Sequence, residues 1–373
     1  MTWNWQNPDW PNFTWESPQI AAAEKKFLLG AGVCIGMVKH LGEDGRNDLL
    51  VELMSAEAMT TSEIEGEILN RASVQSSIQR QLGLTADKRR VLPAEQGIAE
   101  MMIDLYRSLS EPLSQEMLFG WHRKLTGGRS DLSDRGSYRT SKQPMQVVSG
   151  RIGAEKVHFE APPSDLLPAE MKRFIAWFNY SAPPSEVALP AITRAGIAHL
   201  YFESLHPFED GNGRIGRAIA EKAMAQSYGQ SQFVALAATI LAHRKSYYDA
   251  LEKANRKIDL TAWLEWFAEI ALKAQCRTNA QVEFLIAKTK LLDRLRGRIN
   301  ERQQKALLRL FREGPEGFQG GLSAGKYSTI TGASPATTTR DLADLVEQCA
   351  LTRTGEHKYA RYALNLPGFT TRS

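Results

Sequence analysis

The segment from His206 to Arg217 combines the residue types that nucleotide chemistry needs. The imidazole of His206 can act as a general base near neutral pH. The carboxylate of Asp210 offers the hard oxygen ligand that Mg²⁺ prefers beside phosphates. Arg214 and Arg217 stand three residues apart, so they can reach separate phosphate groups from one helical turn. The segment therefore predicts a polyphosphate site with a proton acceptor beside it.

The backbone of the same segment also favours phosphate binding. Pro207 prevents the apolar helix before it from continuing, which leaves His206 at a turn. Gly211 and Gly213 allow a sharp turn and a close approach of ligand to backbone. A helix that begins near Gly213 would present free N–H groups and the positive end of its dipole. Each residue alone is also common in surface turns, but their combination favours a functional loop.

The sequence HPFEDGNGRIGR resembles the Fic family motif HPFx(D/N)GNGRxxR at every specified position. The resemblance implies that His206 deprotonates a hydroxyl group of a target protein and that Asp210 holds Mg²⁺. It also implies that the phosphates of ATP are bound by the residues that follow, namely Gly211, Asn212, Gly213, Arg214 and Arg217. The implied reaction is transfer of AMP to a Ser, Thr or Tyr hydroxyl. A related group that transfers phosphate departs from the second glycine of GNGR, which this chain keeps.

A second segment, TSEIEG at residues 61–66, is similar to the family's inhibitory pattern (S/T)xxxE(G/N). The resemblance implies that Glu65 pairs with Arg217 and restrains the site. Considered alone, the segment would be an exposed acidic helix end. Tyr247 and Tyr248 stand in a KxYYxxL context that in the family lies near the nucleotide base, although aromatic residues at helical spacing usually belong to a core.

Helical periodicity dominates the elements that must position these residues, so the predicted fold class is mainly α. Apolar residues recur at three-to-four spacing over residues 20–41, 48–69, 94–109, 114–125, 169–180, 191–205, 213–228, 236–255, 260–274 and 278–298. The main interruption, residues 131–163, predicts a loop and a short hairpin. Within it, residues 142–158 look like the Fic flap, which would align a target segment as an added strand.

The C-terminal part predicts a smaller unit of different organisation. Helices are expected over residues 302–312, 326–331 and 335–348, the last with Ser334 as its N-cap, followed by strands at 351–354 and 359–364. This order is the outline of a winged helix-turn-helix. The prediction is therefore an N-terminal helical domain with the inhibitory motif (1–90), a Fic-type helical bundle with its flap (91–298) and a winged-helix domain (299–373). The WNWQNPDWPNFTW run resembles a small domain that precedes many bacterial Fic domains.

Composition sets outer limits on the class of protein. The 373 residues are 43% hydrophobic, enough for more than one core, and the net charge of +4 is too small to define the chain as a polyanion binder. Three widely spaced cysteines, Cys34, Cys276 and Cys349, argue against a disulfide framework. We find no signal peptide and no apolar run of membrane-spanning length, so a cytoplasmic location without membrane attachment is expected.

Two other functions compete with AMP transfer. The first is the reverse reaction, in which Glu65 positions water and AMP is removed from a protein. The second is a nucleotide-sensing regulator that binds DNA through the winged helix. In its recognition helix Arg340 is opposed by Asp341, Asp344 and Glu347, which predicts only weak, non-specific DNA binding. Docking of a partner or formation of a homodimer is an equal expectation for this unit.

Overall fold

The computed structural model describes residues 2–39, 41–87, 89–151, 154–228, 234–315, 317–318 and 320–369. The fold is mainly α, as predicted. Its helices are α1 (Pro18–Lys39), α2 (Glu43–Ile64), α3 (Arg71–Gln81), α4 (Pro93–Arg107), α5 (Gln115–Leu125), α6 (Leu167–Tyr180), α7 (Ala191–Leu205), α8 (Asn212–Tyr228), α9 (Leu236–Ala242), α10 (Arg244–Ala254), α11 (Thr261–Leu295), α12 (Glu301–Phe311), α13 (Ala324–Thr331) and α14 (Pro335–Glu347). Of these described helices, none is long and apolar enough to cross a membrane.

Two antiparallel hairpins interrupt the helices. Strand β1 (Gln146–Arg151) pairs with β2 (Ala154–Glu160), with a register shift between Val147 and Val148. This hairpin lies where the sequence predicts the flap; residues 152 and 153, which the prediction includes, lie outside the described residues. Strands β3 (Leu351–Thr354) and β4 (Arg361–Leu364) form the second hairpin.

Helix boundaries differ from the sequence predictions where local signals were weak. The predicted helix 236–255 is two helices, because the chain turns at His243 with φ −119° and ψ 26°. The predicted helices 260–274 and 278–298 form the single helix α11, since no Pro or Gly interrupts the residues between them. Helix α3 was not predicted because its sequence, RASVQSSIQRQ, is largely polar; Asn70 caps it by accepting from the Ser73 N–H at 3.1 Å.

The chain forms two compact units, and the first comprises residues up to Val33 together with Leu50–Thr278. Helix α7 is buried along almost its whole length, including Ile197, Leu200 and Tyr201. A helix that is buried on all faces belongs at the centre of a bundle. Helix α7 ends at the predicted catalytic loop, so this loop emerges directly from the best-packed part of the unit.

The N-terminal aromatic run belongs to this first unit and packs at the base of the flap. The Trp3 ring lies edge-on to Phe159 with centroids 5.4 Å apart. Trp5 donates from its indole nitrogen to the main-chain carbonyl of Glu160 at 2.7 Å. These contacts fix the end of β2 against the body of the unit, so the run contributes to the position of the flap.

The second unit comprises Cys34–Leu49 and the residues from Asn279 onward. Within it, α12, α13, α14 and the β3–β4 hairpin follow in the order predicted for a winged helix, and Ser334 caps α14 through the Thr337 N–H. Assignment of this unit as a winged helix, its binding of DNA or of a second copy, and the boundaries at residues 90 and 298 stay predictions.

The sequence predicts an acidic outer face on α14, and this prediction is wrong for Asp341 and Asp344. Asp341 is buried and accepts hydrogen bonds from Arg302 Nε and from the Tyr327 hydroxyl, both at 3.0 Å. Asp344 accepts from the amide of Gln303 at 2.6 Å. Two of the three acids therefore contact α12 and α13 instead of opposing Arg340 on the outer face. Sequence spacing could not show this, because polar residues facing inward carry no apolar signal.

Candidate functional site

The loop between α7 and α8 is held by its own backbone and by one side chain. His206 ends α7 in a left-handed conformation with φ 45°, and Gly211 has φ 82°. The Asn212 side chain accepts from the Phe208 N–H at 3.0 Å and donates to the Phe208 carbonyl at 2.8 Å. Its amide thus closes the loop, and binding of phosphate by this side chain stays a prediction. Helix α8 begins at Asn212, so its free N–H groups face the loop.

His122 on α5 packs against the loop, and the sequence analysis did not predict this contact. Its ring stacks on Phe208 with centroids 4.2 Å apart, and its Nδ1 accepts from the Gly136 N–H at 2.9 Å. Burial lowers the pKa of His122 to about 4, so the ring is neutral at physiological pH. A histidine within an amphipathic helix carries no sequence pattern to indicate that it packs against the loop.

His206 lies partly enclosed between α7 and the segment that precedes the flap. Arg139 is buried, donates from Nε to the His206 carbonyl at 2.9 Å, and donates from Nη2 to the Pro162 carbonyl at 2.5 Å. Burial lowers the pKa of His206 to about 4, and the positive charge of Arg139 adds to this shift. The imidazole is therefore neutral at pH 7 and able to accept a proton.

Asp210 is already surrounded by positive groups. Its carboxylate accepts from the Gly211 N–H at 2.6 Å, from Arg129 Nη1 at 2.5 Å and from Arg214 Nη2 at 3.3 Å. Burial opposes ionisation, but Arg214, the Gly211 N–H and Arg129 outweigh it and hold the pKa below its usual value. An ionised carboxylate is a ligand that Mg²⁺ can share with phosphates and water, but in this structure Arg129 and Arg214 occupy the Asp210 oxygens.

Glu65 contacts Arg217, as the resemblance implies. Arg217 Nη2 donates to Glu65 Oε1 at 2.7 Å, and the guanidinium also donates to the hydroxyl of Thr61 at 2.8 Å and to its carbonyl at 2.9 Å. Burial opposes the charge on Arg217, yet Glu65 reverses this and raises its pKa. A Cβ at Gly213 would overlap Glu65 Oε1, so the missing side chain leaves the room that the carboxylate fills.

A second acid contact, between Glu67 and Arg214, was not predicted. Arg214 Nη1 donates to Glu67 Oε2 at 2.6 Å, and the side chain of Arg214 is 4% exposed. Arg214 Nε and Arg217 Nη1 are buried and have no hydrogen-bond partner among the described residues. Buried donors without partners are unfavourable, and oxygen-rich anions such as phosphates would satisfy them. The presence of a second acid two residues after Glu65 was the sequence feature that could have indicated the contact between Glu67 and Arg214.

The two tyrosines of α10 occupy different environments. Tyr247 is 1% exposed and its hydroxyl lies 2.8 Å from His199 Nε2. Tyr248 is 39% exposed, and its hydroxyl contacts the Ile64 carbonyl at 3.5 Å, beside Glu65. Contact with a nucleotide base stays a prediction for both residues, and of the two only Tyr248 presents its ring to solvent.

The flap is tied to α10 through a cluster around Glu252. His158 Nδ1 lies 2.6 Å and Lys156 Nζ 3.3 Å from the Glu252 carboxylate. Val147 and Val148 on β1 are 38% and 49% exposed. A strand with exposed apolar side chains, on a hairpin fixed at one side, suits pairing with an extended peptide.

Comparisons with known proteins agree with this geometry. Residues 112–224 match the Fic/DOC family and residues 3–84 match a domain of unknown function (DUF4172). The chain is 23% identical over 244 residues to protein adenylyltransferase fic-1 of Caenorhabditis elegans, covering 64% of this chain and 44% of that protein. It is 27% identical over 97 residues to the probable protein adenylyltransferase aq_aa38 of Aquifex aeolicus strain VF5, covering 26% and 27% of the two chains. The matches therefore span less than half the length of both relatives.

Two solved structures share the fold. A Fic family protein from Desulfovibrio desulfuricans G20 superposes with a TM-score of 0.54 at 20% identity, covering 97% of this chain and 99% of that one. A Fic domain-containing signalling protein from Bacteroides thetaiotaomicron VPI-5482 gives a TM-score of 0.51 at 16% identity, with 71% and 97% coverage. At these identities the likeness establishes the fold alone.

Proposed function

We propose that this chain, which carries a Fic/DOC domain over residues 112–224, transfers AMP from Mg-ATP to a Ser, Thr or Tyr hydroxyl of a target protein. The observation that carries the proposal is the arrangement at the start of α8. A neutral imidazole, an ionised carboxylate and two buried guanidinium groups with unpaired donors converge there, on His206, Asp210, Arg214 and Arg217. The names of the relatives support the reaction class.

In the proposed reaction the hydroxyl oxygen of the target attacks the α-phosphorus of ATP. His206 takes the hydroxyl proton as the new oxygen–phosphorus bond forms and the bond to the β-phosphate breaks. Arg214, Arg217 and the N–H groups that open α8 bind the departing pyrophosphate. Asp210 would hold Mg²⁺, which offsets the phosphate charge, after Arg129 has moved from this carboxylate.

The same geometry supports restraint by two carboxylates. Glu65 and Glu67 bind the guanidinium groups of Arg217 and Arg214, which the reaction needs for phosphates. ATP and the two carboxylates therefore compete for the same donors. Changing such a two-state equilibrium from mostly restrained to mostly free takes about 5.5 kcal/mol of differential stabilisation. Loss of an ion pair in which Arg217 is desolvated is of a size to shift it markedly.

The flap is the proposed docking element for the target. A segment that pairs with β1 would present a hydroxyl group toward His206, while Val147 and Val148 contact its side chains. This element selects an extended segment and does not identify a particular protein.

Removal of AMP from a protein is the second candidate function. It is favoured by one observation, the position of the Glu65 carboxylate against Gly213 inside the phosphate site. A carboxylate there could orient a water molecule toward the α-phosphorus of AMP attached to a protein. In that case Glu65 would be required for activity, whereas AMP addition requires its departure.

Intact-mass spectrometry tests the proposed function directly. After incubation with Mg-ATP, the chain carrying Glu65→Gly should gain the mass of one AMP group on itself or on an added target. The same chain with His206→Ala as a second change should gain none. Gain of a phosphate mass instead, or equal labelling with and without His206, would contradict AMP transfer by this loop.

A further inference from the structure

A second carboxyl group, that of Glu203, lies next to His206 and has no part in the reaction described above. Glu203 Oε2 is 3.9 Å from His206 Nδ1, and the two side chains are 12% and 16% exposed. Glu203 Oε1 is buried and has no hydrogen-bond partner among the described residues. A buried carboxyl oxygen without a partner is unfavourable. Its place one helical turn before the base points to a functional reason for keeping it.

Glu203 is surrounded by the groups that restrain the site. Burial and the negative charge of Glu65, which directly follows α2, together raise its pKa to about 8 against the opposing effect of Arg217 on α8. Tyr247 on α10 and His199 on α7 complete this cluster: Glu203 acts on the pKa of Tyr247, and a Cβ at Gly216 would touch both Glu203 Oε1 and His199 Nδ1. Glu203 is therefore mostly uncharged at neutral pH while Glu65 is in place.

We propose that Glu203 is a positioning residue for His206, whose carboxylate pairs with the ring during AMP transfer, and that Glu65 prevents this pairing while it occupies Arg217. The inference rests on the proposed function. When Glu65 leaves, and before ATP binds Arg217, a negative charge is removed from beside Glu203, so the Glu203 carboxyl ionises more readily. Departure of one acid thus opens the phosphate site and activates the base.

The proton balance of this step is simple. The target hydroxyl proton moves to His206 Nε2 as the oxygen–phosphorus bond forms and pyrophosphate leaves. The ring becomes an imidazolium whose Nδ1 lies 3.9 Å from the Glu203 carboxyl, and the main-chain carbonyl of Glu203 also accepts a hydrogen bond from the ring. The carbonyl holds the ring, while the carboxylate supplies the charge that stabilises the imidazolium. Of the other charges that act on this ring, Arg139 lowers its pKa, whereas Glu65 and Asp210 raise it.

Glu203→Gln separates these two roles because it keeps the carbonyl, the size and the hydrogen-bonding capacity while removing the charge. The experiment measures the rate of AMP transfer from Mg-ATP against pH for Glu65→Gly alone and with Glu203→Gln or Glu203→Asp. An opposite charge at this distance shifts a pKa by about one to three units. Glu203→Gln should therefore lower the plateau rate roughly ten-fold or more and move the acidic limb of the profile about one unit lower, with KM for ATP unchanged.

Glu203→Asp, which keeps the charge, should recover most of the rate. Wild type should need a higher pH than Glu65→Gly to reach its plateau, because Glu65 raises the pKa of Glu203. Glu269→Gln, which removes an exposed carboxylate on α11, serves as the control and should leave the profile unchanged. If Glu203→Gln does not fold, the His206 ring signals of ¹³C-histidine-labelled chains decide. Loss of the Glu65 charge by itself lowers the His206 pKa, but an ionised Glu203 carboxylate 3.9 Å from Nδ1 should outweigh this loss, so Glu65→Gly should raise the His206 pKa above that of wild type.

Superimposable pH profiles for Glu65→Gly with and without Glu203→Gln, or an unmoved His206 titration, would overturn the role of Glu203. Activity that survives His206→Ala would instead overturn the proposed function, so the two failures are distinguishable. A uniform loss of rate with no change in the profile and no recovery in Glu203→Asp would assign Glu203 to structure alone and likewise exclude the proposal.

Discussion

Glu67 Oε2 lies 2.6 Å from Arg214 Nη1, beside the Glu65–Arg217 pair, so the two residues that follow the end of α2 by one and three positions contact both arginines that we propose to bind phosphate. The two pairs differ in their surroundings. Exposure is similar in both, since Glu65 and Glu67 are 29% and 34% exposed and Arg217 and Arg214 are 2% and 4% exposed. Arg217, however, is also held by the hydroxyl and the carbonyl of Thr61 on α2, the helix that Glu65 directly follows. The Glu65 pair should therefore contribute more to restraint than the Glu67 pair.

Glu67→Gln should strengthen ATP binding by a few-fold, because an ion pair whose acid is partly exposed to solvent contributes roughly 1 kcal/mol. Isothermal titration calorimetry with Mg-ATP measures the affinity of each variant for ATP. Glu63→Gln, at a nearby exposed acid on α2, is the matched control and should leave the affinity unchanged. Equal affinities for Glu67→Gln and wild type would show that ATP does not displace Glu67.

Glu65→Gly should raise the rate of AMP transfer, because the Arg217 guanidinium becomes free for the γ-phosphate. The gain should depend on Arg217, so Glu65→Gly combined with Arg217→Ala should show little or none of it. Labelled ATP, with wild type and each single variant in parallel, provides the measurement. A lower rate in Glu65→Gly, with folding intact, would favour removal of AMP as the activity of the chain.

His206→Ala should reduce AMP transfer by roughly 10² to 10⁴-fold, the range typical of a general base, while ATP affinity is retained. Burial lowers the pKa of His206 to about 4, so in wild type the ring itself stays competent down to mildly acidic pH. Target labelling and calorimetry on the same preparation separate the two effects. A parallel loss of ATP binding would place His206 in nucleotide binding instead of proton transfer.

Asn212→Ala should lower the unfolding free energy of the first unit by about 1–3 kcal/mol, because the Phe208 N–H and carbonyl lose their partners in a buried loop. All eight tryptophans of the chain lie in this unit, so their fluorescence during urea unfolding reports on it alone. Asn212→Asp keeps the acceptor for the Phe208 N–H and should lose less. An unchanged midpoint for Asn212→Ala would mean that the side chain acts mainly on phosphate.

Glu252→Gln should weaken modification of a target protein while leaving ATP affinity unchanged. Glu252 joins β2 to α10 through His158 and Lys156, so the neutral variant loosens the flap without touching the phosphate site. Labelling at several target concentrations should show a higher KM for the target. If KM for the target is unchanged, the flap does not depend on this contact.

The loop from His206 to Arg217 could be identified as a candidate site from the sequence because the residues that define it are local. His206, Asp210 and the two arginines are neighbours on the chain, and Pro207 and Gly211 fix the turn between them. Contacts that depend on packing gave weaker signals. The Glu67–Arg214 pair joins residues 147 positions apart, and Glu203 is one more acid in a helix until burial beside His206 shows its environment. The prediction that Asp341 and Asp344 face outward on α14 was wrong for the same reason, since spacing alone does not show which face of a helix is covered.

The contacts of the N-terminal aromatic run have a consequence for how the chain can be divided. Asn4 donates to the buried hydroxyl of Ser204, two residues before His206, and Thr14 bridges to Asp259 ahead of α11. The run therefore packs behind the loop that begins at His206 and against the end of β2 in the flap. A fragment beginning at residue 112, where the Fic/DOC match begins, would lack these packing contacts. It would also lack Glu65 and Glu67, the acids that contact Arg217 and Arg214. The first residues of the chain and helix α8 belong to one compact unit, so a shortened chain meant to keep the proposed activity should contain both.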